Sequence, residues 1–327
     1  MILKRKLLPL AALGMAAGLV PDAMVRIMLG KNETGQQVRD KTMAGLDKRK
    51  KNPDDIMYRA GVYLASKQEE NERFEKEYPE EKVTVLSFDG LRLAGFMRKN
   101  KEGHRWLLAF HGYRATHSEI TRLQFAREFY NMGFHVLAPD HRMCGESEGE
   151  RIGMGWLERF DVLTWIQYVI TEDPKAQIVL FGESMGAAAV LAACGLFLPP
   201  HVKAVIADSS FSSVSAISGE VAARRYHLPS GPAVALCDSA ARRYAGFKLS
   251  EADIAAELAK AKIPVLLMHG KEDSIVPFEN FRVLSEVNTN SELKAVSFEG
   301  ADHVCSSLVE PQLYWQTVRD FLEGRFS

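Results

Sequence analysis

The sequence predicts an α/β protein built on one mostly parallel sheet with helices on both faces. Three observations carry that expectation. Short apolar runs of strand length recur from Val83 onward, helix-length segments lie between most of them, and the first two runs flank an Asp-Gly pair. Strands alternating with helices imply right-handed crossovers and a sheet covered on both sides. With 327 residues, 46% hydrophobic and 25% charged, the chain can bury a sizeable core.

The elements follow in order. "VTVLSF" and "LRLAGFMR" flank Asp89-Gly90, the strongest short hairpin signal, so the sheet begins antiparallel. Six further runs complete an eight-stranded sheet: "WLLAF" from Trp106, "FHVLAP" from Phe134, "QIVLF" from Gln177, "VKAVIA" from Val202, "PVLLMH" from Pro264 and "LKAVSF" from Leu293. Helices are expected over Ser118 to Met132, Trp156 to Thr171, Met185 to Leu198 and Pro311 to Glu323. The interval from Ala207 to Ile263 holds no strand-like run, though Ser218 to Tyr226 and Leu249 to Ala261 read as helices. Intervals that long carry their own structure, and an inserted helical cap at about 209–262 fits.

The main domain spans 83–327, and two different segments precede it. Lys4, Arg5 and Lys6 come before "LLPLAALGMAAGLV", Leu7 to Val20, the layout of a signal peptide or short signal anchor. No clear A-x-A site follows, which favours retention, so residues 1–30 are expected to associate with a membrane. The alternative is a core-packed N-terminal helix in a cytoplasmic protein. Arg26, Lys31 and Arg39 nearly balance the basic start, so no orientation follows. Residues 31–82 mix both charge signs at helical spacing after Asn52-Pro53-Asp54 and read as a solvated helical linker.

A formal net charge of −1 gives no basic field to hold nucleic acid. Cys144, Cys194, Cys237 and Cys305 show neither a CxxC pair nor a zinc-ligand spacing and read as structural thiols.

The chemistry centres on Gly182-Glu183-Ser184-Met185-Gly186, where a strand turns into a helix. Ligands of open α/β sheets bind beyond the carboxyl ends of strands. A sharp turn there needs glycine on both sides of a strained residue, which lifts the Ser184 hydroxyl clear of the sheet. A hydroxyl is a poor nucleophile without a base. His303, in "FEGADHVCSS" after the last strand, is the candidate base. Asp273, at the apex of "EDSIVP" after the penultimate strand, is the candidate carboxylate that would fix the histidine's tautomer. Asp208 and Glu272 are its rivals. "FHGYRAT" from Phe110 follows the third strand and would turn the Tyr113 backbone N–H toward the site, with Met185 N–H as a second oxyanion donor.

At this point the chain resembles the α/β-hydrolase family, over about Val83 to Phe326. "HGY", "DHRMCGESEG" (Asp140 to Gly149), "GESMG", "ADSSFSS" (Ala207 to Ser213), "HGKEDSIVP" and "GADH" occur in the family's order. The pattern is most similar to its serine aminopeptidase-like and monoacylglycerol-lipase-like bacterial members. The resemblance implies an α/β-hydrolase fold with Ser184, Asp273 and His303 as a triad. Met143 and Cys144 depart from the commoner Gly-His, with Arg142 and Ser147 expected to brace that loop.

The expected activity is a serine hydrolase acting on a small or medium acyl ester, or a lipid monoester, through an acyl-enzyme. No metal or organic cofactor is needed. A peptidase or thioesterase using the same triad, or a binding protein without catalysis, is the alternative. Apolar cap residues such as Phe211, Ile217 and Val221 suit an acyl group. The pairs Arg224/Arg225 and Arg242/Arg243 would either meet a substrate anion or lie exposed on the lid.

Overall fold

The computed structural model of the chain describes residues 21–31, 37, 54–101 and 103–326. Helix α1 covers residues 21–29. It is followed by α2 (Ile56–Ser66), α3 (Gln68–Glu77), β1 (Glu81–Leu86), β2 (Arg92–Arg98), β3 (Arg105–Phe110), α4 (His117–Arg122) and α5 (Phe125–Asn131). Then come β4 (His135–Pro139), α6 (Glu158–Glu172), β5 (Gln177–Glu183), α7 (Met185–Ala193), β6 (Val202–Asp208), α8 (Val214–Tyr226) and α9 (Ser230–Ala245). The chain finishes with α10 (Ile254–Leu258), β7 (Val265–Gly270), α11 (Glu279–Ser285), β8 (Leu293–Phe298), α12 (Ser306–Val309) and α13 (Pro311–Leu322).

All eight expected strands form one sheet, in the order β1-β2-β4-β3-β5-β6-β7-β8. The β1–β2 hairpin is antiparallel, as is the β2–β4 pair, and every pairing from β4 through β3 to β8 is parallel. Alternate side chains of a strand face opposite sides. Leu108, Phe110, Ile178 and Leu180 accordingly join one apolar cluster, while Leu107, Ala109, Val179 and Phe181 join another. Every residue of α7 is buried, and its run of alanines lets the helix lie close against β5 and β6.

Several helices differ from expectation. The segment expected as one helix from Ser118 to Met132 is two, α4 and α5, because Gln124 takes φ 72° between them. The stretch expected from Leu249 to Ala261 is a short 3-10 turn at Leu249–Glu251 followed by α10. Helix α9 lies in the expected cap interval but outside the two helices expected there. Pro229 stands at the N-cap and Pro232 falls in the first turn, where the missing N–H costs nothing. The described part of the charged linker from residue 54 onward holds two helices that are only partly solvated: Ala60 and Phe74 are buried, and Phe74 packs against Tyr78 and Tyr130.

The apolar run Leu7 to Val20 lies outside the described residues. Among the described residues no helix is long and apolar enough to cross a membrane. All four cysteines are free thiols, with Cys144, Cys194 and Cys237 buried.

Candidate active site

The end of β5 sets the geometry. Ser184 follows directly with φ 54° and ψ −115°, a strained conformation for a residue with a Cβ, and α7 begins at Met185. A Cβ at Gly182 would lie 2.3 Å from the Gly186 backbone, and one at Gly186 would lie 2.1 Å from the Phe110 carbonyl oxygen. The glycines are therefore a condition of the turn rather than a composition accident.

Loops after β7 and β8 bring the other two expected residues to this turn. His303 Nε2 lies 2.8 Å from Ser184 Oγ, and His303 Nδ1 lies 2.7 Å from Asp273 Oδ2. An ionised carboxylate can only accept, so the ring proton sits on Nδ1 and Nε2 is left to accept from the serine hydroxyl. Asp273 is held in place by its second oxygen, which accepts from the Ile275 and Val276 backbone N–H groups at 2.9 and 2.7 Å. Burial opposes ionisation of Asp273, but the adjoining His303 and His269 rings outweigh it and hold its pKa far below the usual carboxylate range. Burial likewise disfavours a charged His303, yet Asp273 beside it, with Asp208 and Asp302 nearby, raises its pKa above the ordinary value.

The rival carboxylates are engaged elsewhere. Asp208 accepts hydrogen bonds from Tyr314 Oη at 2.8 Å and Ser209 Oγ at 2.9 Å, and burial raises its pKa. The Glu272 side chain is exposed. Asp302, which the sequence did not single out, orients the histidine loop: its Oδ1 accepts from the backbone N–H and hydroxyl of Ser274 and from the His303 N–H, each at 2.8 Å.

The loop after β3 is pinned by two buried histidines. His111 Nδ1–H donates to the Gly112 carbonyl at 2.7 Å, while its Nε2 accepts from the His141 N–H at 3.0 Å. Burial lowers both pKa values, so the rings are neutral. The Ala115 N–H donates to the same Gly112 carbonyl at 3.2 Å. Because the peptide plane is trans, a carbonyl held on one side sends the Tyr113 N–H to the other. Tyr113 and Met185 both line the cavity that holds Ser184 and His303. As the first residue of α7, Met185 carries an N–H without an intrahelical acceptor.

Glu183, immediately before the serine, is also buried and lines this cavity. One of its oxygens is buried without a partner. Burial, reinforced by Glu119 and Asp208, raises its pKa well above the ordinary carboxylate value despite a hydrogen bond from the Gly112 N–H. Arg142 and Ser147 do brace the loop that departs from the family pattern. Arg142 grips Asp161 at 2.8 Å and Asp89 at 3.0 Å, and Ser147 Oγ donates to the Asp140 carbonyl at 2.7 Å.

The cavity has a volume of about 280 Å³ and is mostly apolar. Helices α8 and α9 supply part of its wall through Ile217, Val221 and Val234, and α1 supplies Met24, Val25, Ile27 and Met28. Three of the cap arginines pair with carboxylates and do not line it: Arg224 with Glu220, Arg242 with Glu251 and Arg243 with Asp22.

A family model described as serine aminopeptidase, S33, matches residues 101–228, a stretch that contains Ser184 and ends before Asp273 and His303. The uncharacterized protein YqkD of Bacillus subtilis is 25% identical over 241 residues, covering 73% of this chain and 78% of that one. The lysophosphatidylserine lipase ABHD12 of Danio rerio is 25% identical over 197 residues, 58% of this chain and 49% of its own length. Among solved structures, the Pyrococcus furiosus esterase Pf2001 superposes with a TM-score of 0.62 at 22% identity, covering 78% of this chain and 95% of the esterase. The chain thus has the α/β-hydrolase fold, and its sequence is similar to members of that family through the serine turn.

Proposed function

We propose that the protein is a serine hydrolase that cleaves a carboxyl ester of a small or medium acyl group, or a lipid monoester, through an acyl-enzyme. The observation that carries this reading is the continuous Ser184–His303–Asp273 hydrogen-bonded chain, at 2.8 and 2.7 Å, opening on an apolar cavity.

Ser184 Oγ attacks the ester carbonyl carbon as its proton passes to His303 Nε2. The negative charge that gathers on the carbonyl oxygen is met by the N–H groups of Tyr113 and Met185. Asp273 stays ionised and stabilises the imidazolium. Collapse breaks the ester C–O bond, and His303 returns its proton to the departing alcohol. Water then attacks the acyl-serine, giving up a proton to His303; the acyl C–Oγ bond breaks, His303 passes that proton to Ser184 Oγ, and the carboxylic acid leaves.

The apolar wall favours an acyl chain over a peptide. The likeness to an esterase and to a lysophosphatidylserine lipase agrees with that, while the serine aminopeptidase model keeps an amide substrate as the rival. The test is a panel of p-nitrophenyl esters of graded chain length, a monoglyceride and an aminoacyl amide, run on the wild type and Ser184→Ala. Ester turnover lost by about 10⁴-fold or more in the variant, with its Tm unchanged, is expected. Labelling of Ser184 by a fluorophosphonate separates the enzyme from a hydrolase-fold binding protein. Amide cleavage outpacing every ester would overturn the ester assignment.

A further inference from the structure

Helix α1 follows the apolar run Leu7 to Val20 in sequence, and its residues form part of the site. Val25 and Leu29, one turn apart, are 1% and 0% exposed and belong to the same apolar cluster as Met185 and the α7 alanines. Met24, Val25, Ile27 and Met28 line the cavity that holds Ser184 and His303.

The carbonyl end of α1 is held by the loop that carries Tyr113. The last carbonyls of a helix have no intrahelical donor, and their partial negative charge favours a cation. Arg114 supplies both needs from far along the chain: Nη2 donates to the Ile27 carbonyl at 3.1 Å and to the Gly30 carbonyl at 2.6 Å. Its Nε donates to Tyr113 Oη at 2.8 Å, and that hydroxyl donates to the Met28 carbonyl at 2.7 Å. Arg114 adopts φ 55° to do so. Beyond the helix, the Ile152 N–H donates to the Leu29 carbonyl at 2.7 Å and the Lys31 N–H to the Glu150 carbonyl at 3.1 Å. The segment is thus tied on one side to the oxyanion loop and on the other to the strap before α6.

We propose that α1 is a working wall of the active site, in which Met24 and Met28 set the acyl-chain length accepted while Tyr113 and Arg114 use the end of the helix to position the oxyanion loop. The inference rests on Ser184 being the nucleophile of an ester hydrolase. Methionine suits such a wall, since its flexible thioether fills irregular space around an alkyl chain. The positioning role belongs to the Tyr113 side chain and to Arg114. The Tyr113 backbone N–H would contribute the oxyanion donor itself.

The test uses the full chain and p-nitrophenyl esters from acetate upward. Met28→Trp should lower the ratio of kcat/KM on the preferred chain to that on acetate by about tenfold or more, the scale of a misfit in an apolar pocket. Met24→Ala should move the preferred length the opposite way, toward longer chains. Tyr113→Phe keeps the backbone donor and removes the tether. It should lower kcat by about tenfold on every ester with little change in KM, and Arg114→Lys should recover part of what Arg114→Ala loses. A merely structural role would lower Tm in these variants and leave both the chain-length profile and kcat where they were, which would overturn the inference. If Ser184→Ala kept ester turnover, the nucleophile assignment would fall first, an outcome separate from an unmoved profile in an otherwise Ser184-dependent enzyme.

Discussion

The floor and the roof of the cavity are built by opposite means. The floor, at the carboxyl ends of β5, β7 and β8, is made of short local motifs whose atoms are fixed by backbone: Ser184 by a strained turn between two glycines, Asp273 by two N–H groups of its own loop, His303 by Asp302. The roof comes from α1 and the consecutive pair α8 and α9, whose apolar side chains form its surface, while the end of α1 is tied by Tyr113 and Arg114. Directional bonds hold atoms to within tenths of an ångström. Apolar contact fixes volume and leaves side chains free to adjust. The contrast suggests that the floor carries reactivity and the roof carries selectivity.

The largest expected effect falls on the floor. Asp273→Asn removes the acceptor that sets the His303 tautomer, and kcat should fall by about 10⁴-fold with binding of esters little changed. The pH profile sharpens the same point. His303 must be neutral to take the serine proton, and its pKa is raised, so wild-type activity should fall as pH drops through a midpoint above the ordinary histidine value. In Asp273→Asn the residual activity should lose that limb to lower pH. A wild-type limb at or below the ordinary value would contradict the role given to Asp273.

Next comes the turn itself. Gly186→Ala drives a methyl group toward the Phe110 carbonyl, and destabilisation of about 3 kcal/mol or more in urea melts is expected. A roof residue should behave differently: Ile217→Ala should change the chain-length profile with kcat on acetate within about twofold, because no reacting atom depends on it. If that variant lost activity on all esters equally, the division between floor and roof would not hold.

The smallest effect lies outside both. His117 stacks on Phe96 and bonds to Glu80 and Asp140, and these carboxylates overcome burial to raise its pKa to about 9. A folded-state value above the unfolded one means the protonated ring is favoured by folding. Its contribution is complete below about pH 6.5 and disappears as pH rises through about 9. His117→Gln should cost about 1 kcal/mol at pH 6 once solvent screening is allowed for, and less at pH 10.

This division also explains what the sequence made legible. Every strand was readable, because buried parallel strands are short apolar runs punctuated by Gly, Pro and polar residues. The serine, histidine and aspartate were readable because each sits in a turn with its own local signature. Asp302, His111 and His141 were less so: each acts through a loop partner, and a lone polar residue in a loop carries no pattern. Arg114 and α1 were opaque for a stronger reason. Their bonds join residues more than 80 positions apart, and no local periodicity records which carbonyl an arginine will reach.

Ser184 heads a helix with no exposed residue, packed between the central strands on one side and α6 and α10 on the other. Nothing at that point can loosen by itself, since freeing the hydroxyl's backbone would mean pulling α7 out of the core. Heat should therefore give no state in which the sheet persists while the nucleophile is disarmed. Loss of hydrolysis at the Ser184 end and cooperative melting should share one midpoint, so that a simple rate assay reports how much of the population is still native.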